Sequence, residues 1–312
     1  MSRIVATRLA ALAAAGALLA AAPCRAASLQ VCDHPVEPSA EQKDVMLRFG
    51  ALVRETLADS DGDVALVARA GMDLRRLQTR FSHEAVALKD NPASPWAVRQ
   101  LYYSCEDHRP RVFDEGLSSF VMGTDDAESA WISVVFLPPA AAARLHDTAL
   151  DKRQALAVLG ASYSANAYAF GLLHQNCNQW VMELLAQAWD DEPLPADATQ
   201  APAARVRAQR WLRAQGYLPT VYTLSAHPMT WLADLVPWMA NDDHPREEVA
   251  HDRYNVSMPS SIETFVQAKQ PEARRVELCH AGRRVVIHAG WDEIADGCVA
   301  GPDDRVIELA RD

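Results

Sequence analysis

The sequence predicts an α+β protein in which a cysteine-bearing helix packs on a small antiparallel sheet, followed by a small C-terminal module. Three observations carry that expectation. Apolar residues recur at helical spacing after a capping signal at Ser39, two β-rich runs flank the proline turn at residues 91–95, and a second amphipathic run opens at Asn176. Strands joined by so short a turn pair antiparallel, and an amphipathic helix needs such a surface on which to bury its apolar stripe.

Before the first of these elements lies a segment of another kind. Arg3 and Arg8 precede an almost unbroken Ala/Leu run from Leu9 to Ala22, and Cys24-Arg25-Ala26 follows. A basic start, a short apolar stretch and small residues form a secretory signal, too short to span a bilayer, with cleavage expected after Ala26. Pro23 directly before Cys24, and no leucine three residues before it, argue against lipid attachment there. The later apolar stretch Ala130 to Ala143 is broken by Pro138-Pro139, so no transmembrane segment is expected after cleavage, and the expected location is periplasmic. Losing Arg3, Arg8 and Arg25 with no acid takes the formal charge from -11 to -14, which is unsuited to a nucleic-acid partner.

The elements follow in order. Ser39 and Gln42 form a capping box, and Val45, Phe49, Leu52, Val53 and Leu57 continue a helix to Ala58, which Asp61-Gly62 closes. Val64–Val67 reads as a buried strand, Leu74–Leu77 as a helical turn, Phe81–Leu88 as a second strand, and Trp96–Ser104 as its hairpin partner. Trp131–Leu137 is a further strand. One helix is expected from Pro139 to Gly160 and another from Asn176 through Trp180, Val181, Leu184, Leu185, Ala188 and Trp189. The boundaries that result are a signal at 1–26, a core at 27–190, a polar linker at 191–204 and a module at 205–312. That module holds helices over Pro202–Gln215 and Pro228–Met239 and a hairpin of Arg275–Leu278 with Arg284–His288.

Signal removal turns six cysteines into five, and an odd number in an oxidising compartment leaves one without an intramolecular partner. Cys279 with Cys298 closes a short loop and is the natural bridge; Cys32 with Cys105 is the second candidate. Cys177 remains. Asn176 as N-cap and Gln179 as its capping-box partner put Cys177 in the first turn of a helix, where free N–H groups of Asn176, Asn178 and Gln179 and the helix dipole would lower a thiol pKa and hold an oxyanion. An inert buried thiol is the competing reading. His83 opens a strand, which holds an imidazole rigidly enough to serve as a base.

Phe81-Ser82-His83 opening a strand, followed later by Leu172-Leu173-His174-Gln175-Asn176-Cys177-Asn178-Gln179-Trp180 opening a helix, resembles the circularly permuted papain-like superfamily. That superfamily includes lecithin retinol acyltransferase-like enzymes and relatives of bacterial cell-wall amidases. The chain is more closely similar to the bacterial domain of unknown function 2145 family. The residues that carry this likeness are Trp96-Ala97-Val98-Arg99-Gln100-Leu101-Tyr102, Asp114-Glu115-Gly116, Val276-Glu277-Leu278-Cys279-His280 and Gly290-Trp291, whereas Arg69-Ala70-Gly71-Met72-Asp73-Leu74 ahead of the histidine resembles the wider superfamily's entry to the sheet. The wider resemblance implies a permuted papain-like fold, Cys177 as nucleophile, His83 as base and a third polar group on the next strand. Gln100 and Tyr102 are the candidates for that group, Gln100 the preferred one. The implied activity is hydrolysis or transfer of an acyl group, with an amide- or ester-containing envelope substrate, either cell-wall peptide or lipid. The alternative is a non-catalytic envelope protein that uses the same scaffold for binding or structure. No cofactor is required. No metal site is expected either, since His244 and His251 lie too far apart for helical zinc-ligand spacing.

Overall fold

The computed structural model describes residues 38–104, 108–192, 201–223 and 238–310. The first helix, α1 (Ala40–Ala58), starts where expected: Ser39 Oγ accepts from Gln42 N–H at 3.2 Å and Gln42 Oε1 accepts from Ser39 N–H at 2.7 Å. These two bonds satisfy amides that a helix start leaves without partners.

Eight strands then build one antiparallel sheet, in the order β10-β9-β8-β5-β1-β2-β3-β4. They are β1 (Val64–Arg69), β2 (His83–Leu88), β3 (Ala97–Ser104), β4 (Arg109–Glu115), β5 (Ser129–Phe136), β8 (Arg274–Ala281), β9 (Arg284–Ala289) and β10 (Arg305–Glu308). A separate pair, β6 (Thr220–Thr223) and β7 (Arg253–Val256), stands apart from it. Strand alternation sorts the side chains onto two faces. Ala65, Val67, Ala85, Ala87 and Val98 meet Phe49, Val53 and Leu57 of α1 and Leu117 and Phe120 of the short α2 (Leu117–Met122). On the other face Leu66, Val86, Leu88 and Leu101 meet α3 (Pro139–Leu150), α4 (Lys152–Ala157) and α5 (Cys177–Trp189). Against α5 also lie α6 (Ala201–Ala214) and α8 (Pro259–Lys269), so nearly every residue of α5 is buried; the small α7 (Arg246–Ala250) precedes β7. Burying a large apolar side chain such as Trp180 or Leu184 contributes about 1.5–3 kcal/mol.

Several expectations change. The helix predicted over 139–160 is two helices, because Asp151 takes an extended conformation and its carboxylate accepts from Arg153 N–H at 2.8 Å and Gln154 N–H at 3.3 Å, capping a new start. Strand β4 carries Pro110 and is half exposed, which an edge position tolerates, and its polar residues hide it from a hydrophobic-pattern reading. Within the predicted linker, α6 begins at Ala201, and Arg144 and Arg207 bind Asp190 through Glu192; residues 193–200 lie outside the described residues. So does most of the helix expected over 228–239.

The tail strands do not form a separate sheet. Strand β8 pairs with β5 along its whole length, from Ser129 opposite Ala281 to Phe136 opposite Arg274, so the C-terminal strands extend the sheet of the first half, and Pro35–Asp312 is one compact unit. The Cys279–Cys298 disulfide ties β8 to the loop after β9. The bridge expected between Cys32 and Cys105 involves residues outside the described ones. Among the described residues Cys177 is the free cysteine, and no helix is long and apolar enough to cross a membrane.

Candidate active site

Cys177 is the first residue of α5. Asn176, in an extended conformation, caps the helix by accepting from Gln179 N–H at 2.6 Å, while its amide donates to the carbonyls of Ala165 and Ser257. The reciprocal half of the expected capping box is missing. Gln179 instead spends its amide on the carbonyls of Tyr168, Ala169 and Gly171, fastening the loop that leads into the helix. This loop offers three acceptors, whereas closing the box would satisfy one amide.

Asn178 joins the cysteine helix to the histidine strand. Its Oδ1 accepts from Glu84 N–H at 2.8 Å and its Nδ2 donates to Ser82 C=O at 3.1 Å, so it grips the backbone on both sides of His83. The β2–β3 ladder spans only Val86–Leu88 against Ala97–Arg99. Strand N–H and C=O groups lie in the sheet plane, so the partner that takes them from residues 82 and 84 occupies the position a continued β3 would fill. The helix start is therefore seated where β2 and β3 part. This seating matters because alternation directs His83 to the face of Ala85 and Ala87, while α5 packs the opposite face. The gap between the strands is the route from one to the other.

His83 Nε2 lies 2.5 Å from Gln100 Oε1, Gln100 Nε2 donates to Glu115 Oε2 at 2.5 Å, and Ser119 Oγ donates to Glu115 Oε1. A carboxylate only accepts, so the Gln100 amide faces Glu115, its carbonyl faces the ring, and Nε2 of His83 carries the proton. The lone pair of a neutral imidazole is then on Nδ1, which has no hydrogen-bond partner among the described residues. The structure thus brings His83 and Gln100 together and sets the tautomer a base needs. Tyr102, the other candidate, contacts the His83 ring edge-on at 6.2 Å between centroids. No hydrogen bond joins the His83 ring to the Cys177 sulfur.

The electrostatics differ from the expectation of a lowered thiol pKa. Burial pushes the Cys177 thiol up from 9.0 to about 12, against the opposing pull of the Asn178 N–H, Arg69, the Cys177 N–H and the Tyr163 hydroxyl. The helix terminus acts in the predicted direction, and desolvation outweighs it. Burial likewise lowers His83 to about 3, with the Arg69 charge adding and the Gln100 bond opposing. Both groups are therefore neutral at rest.

Three contributors escaped sequence reasoning. Arg69, 6% exposed, acts on both Cys177 and His83, donates to Phe120 C=O at 3.0 Å and lies over the Phe120 ring; among the described residues no carboxylate pairs with it. Its guanidinium crosses Gly123 so closely that a Cβ there would sit 1.4 Å from Nη1. The signal was present: an arginine in phase with Ala65 and Val67 of a buried strand. Arg205 and Glu183 form a buried ion pair at 2.7 Å, and Arg205 also binds the carbonyls of Gly171, Leu172 and His174, holding the approach to Cys177. Tyr163, whose segment bridges Gln175, is among the groups that oppose the rise of the thiol pKa.

Residues 56–266, more than half of the chain, match the family described as "Uncharacterized protein conserved in bacteria (DUF2145)". The chain belongs to this family. The matched span of this DUF2145 member includes His83, Gln100, Arg69, Cys177 and Arg205. No curated protein and no solved structure matches the chain. Beside the site, Tyr102, Arg109, Arg111, Phe113, Leu156 and Leu159 line a cleft of about 580 Å³. Tyr102 is common to the cleft wall and the His83 surroundings.

Proposed function

We propose that this DUF2145 protein is an exported, periplasmic cysteine-dependent acyl hydrolase or transferase that acts on an amide or ester of the cell envelope. The observation that carries the reading is the double grip of Asn178 on Ser82 and Glu84, which docks the start of the cysteine helix against the histidine strand. Substrate enters along the cleft past Tyr102, so that its carbonyl reaches the gap between β2 and β3. His83 Nδ1 takes the thiol proton as Cys177 Sγ bonds to the carbonyl carbon; the backbone N–H groups of Cys177 and Asn178 stabilise the oxyanion, and the leaving group departs with the proton. Water, or another acceptor, then releases the acyl group. Gln100 keeps Nε2 protonated throughout.

Because burial keeps thiol and imidazole neutral, proton transfer accompanies attack; no thiolate–imidazolium pair stands ready beforehand. The same burial favours a second reading, a non-catalytic envelope protein whose thiol is inert. Alkylation by iodoacetamide at neutral pH separates the two. The enzyme reading expects Cys177 to react at least about 10-fold faster in the wild type than in His83→Ala. Equal, slow labelling of both folded proteins leaves the inert scaffold. Export is tested by fractionation of cells expressing the full chain, with an N-terminus at Ala27 as the expected outcome.

A further inference from the structure

We infer that Ser162, His174 and Asp242 form a second acyl-transfer site, a serine esterase centre behind Cys177. His174 Nδ1 lies 3.0 Å from Ser162 Oγ and His174 Nε2 lies 2.7 Å from Asp242 Oδ1. One ring thus meets a hydroxyl on one nitrogen and a carboxylate on the other. The carboxylate only accepts, so Nε2 carries the proton and Nδ1 offers its lone pair to the hydroxyl. This is the arrangement that activates a serine: a base in contact with it, a tautomer held by an anion, and that anion placed to stabilise the imidazolium that forms.

The backbone presents the three groups firmly. Tyr163 and Gln175 form a parallel bridge, Gln175 N–H donates to Ser162 C=O at 3.0 Å and Ser164 N–H to Gln175 C=O at 3.3 Å. The bridge thus ties the segment that carries Ser162 to the one that carries His174. The loop that carries Asp242 is fastened by other residues. Ala240 N–H donates to Ser164 Oγ, Asn166 Nδ2 to Asn241 Oδ1 and Tyr168 N–H to Asp243 Oδ2, while His244 Nε2 meets Asn166 C=O at 2.7 Å. Asp242 is not needed for that fastening and is left to orient His174. The site is also open where the cysteine is closed: Ser162 is partly exposed, and the side chains of His174 and Asp242 are 12% and 67% exposed.

The substrate class is a carboxylic ester reached from solvent, since Ser162 and Asp242 are open to it. Ser162 Oγ bonds to the acyl carbon as its proton passes to His174 Nδ1; the ester C–O bond breaks and the leaving oxygen takes that proton. Water repeats the sequence and regenerates the serine, with no change of oxidation state. His174 and Ser162 are the catalytic residues; Asp242 is a positioning residue.

The test uses the full chain carrying Cys177→Ala, so that its outcome does not depend on the cysteine mechanism. Treatment with a fluorophosphonate probe and peptide mapping is expected to place one phosphonyl group on Ser162, with none in Ser162→Ala. The inactivation rate is expected to fall about 100-fold or more in His174→Gln, to fall in Asp242→Asn, and to recover in Asp242→Glu. Recovery with glutamate while asparagine stays slow reports the carboxylate charge, which a merely structural Asp242 would not require. No modification of Ser162 in the folded chain overturns the site whether or not the variants fold, and so does an unchanged rate in folded His174→Gln.

Discussion

Two glutamates lie on either side of the candidate site, and both are completely buried, yet they are held in opposite ways. Glu183, on the cysteine helix, receives Gln175 and Arg205 Nε on one oxygen at 2.7 Å each, and Gln209 and Arg205 Nη2 on the other at 2.8 and 3.2 Å. Glu84, next to His83, has no hydrogen-bond partner on either oxygen among the described residues. Burial raises the pKa of both. For Glu183 the Arg205 charge and the three side chains offset it, whereas for Glu84 the neighbouring Glu263 adds to it and Arg275 offsets only part, leaving it well above the usual range. Compensation, and not burial, separates the two: Arg205, Gln175 and Gln209 answer the charge of Glu183, whereas among the described residues no hydrogen bond answers that of Glu84. Glu183 stands where Arg205 binds the loop of residues 171–174, and Glu84 lies in the strand that opens with His83.

The largest effect expected from this contrast is that of Arg205→Ala, which strands Glu183 without its cation and costs about 3–5 kcal/mol in urea denaturation. Replacing both residues with apolar ones of similar size is expected to recover most of the loss. A cost under about 1 kcal/mol for the single change would erase the difference between the two glutamates.

Next comes the pH dependence of Glu84. Its folded pKa lies above the ordinary value of 4.5, so the folded state holds the proton more tightly. The stability this contributes is present below that value and is lost as pH rises toward the folded pKa, by about 1.4 kcal/mol per pH unit across the window. Glu84→Gln removes the titration. The variant and the wild type are expected to differ least near pH 4, with the variant increasingly the more stable toward neutral pH. A gap that stays constant with pH would place Glu84 with the compensated class.

Smaller still is the expected effect of Asn178→Ala, about 1–3 kcal/mol, since the Glu84 N–H and the Ser82 carbonyl lose their partner in a buried place. If the seating of α5 depends on that grip, alkylation of Cys177 changes in the same variant by more than the stability loss accounts for.

Much of this was legible in the chain. The capping box at Ser39, the N-cap at Asn176, the hairpin of β2 and β3, the Cys279–Cys298 bridge and the placement of Gln100 near His83 all depend on residues a few positions apart or on one turn. Local signals of that kind survive reading in one dimension. What failed did so for identifiable reasons. Asp151 reads as an ordinary polar residue inside a helical stretch until its extended backbone is seen, and Gln179 fits a box pattern until the loop offers it three carbonyls.

The sequence by itself determined which residues carry reactive groups and which local elements hold them: a cysteine at a helix start and a histidine opening a strand. Only the tertiary structure decided their electrical state and their company. Burial, a property of the whole packed chain, pushed the thiol up and the imidazole down. Contacts between residues as distant in sequence as Ser82 and Asn178, Glu183 and Arg205, or His174 and Asp242 arise because sheet pairing and helix packing bring the segments together, and no local pattern records them.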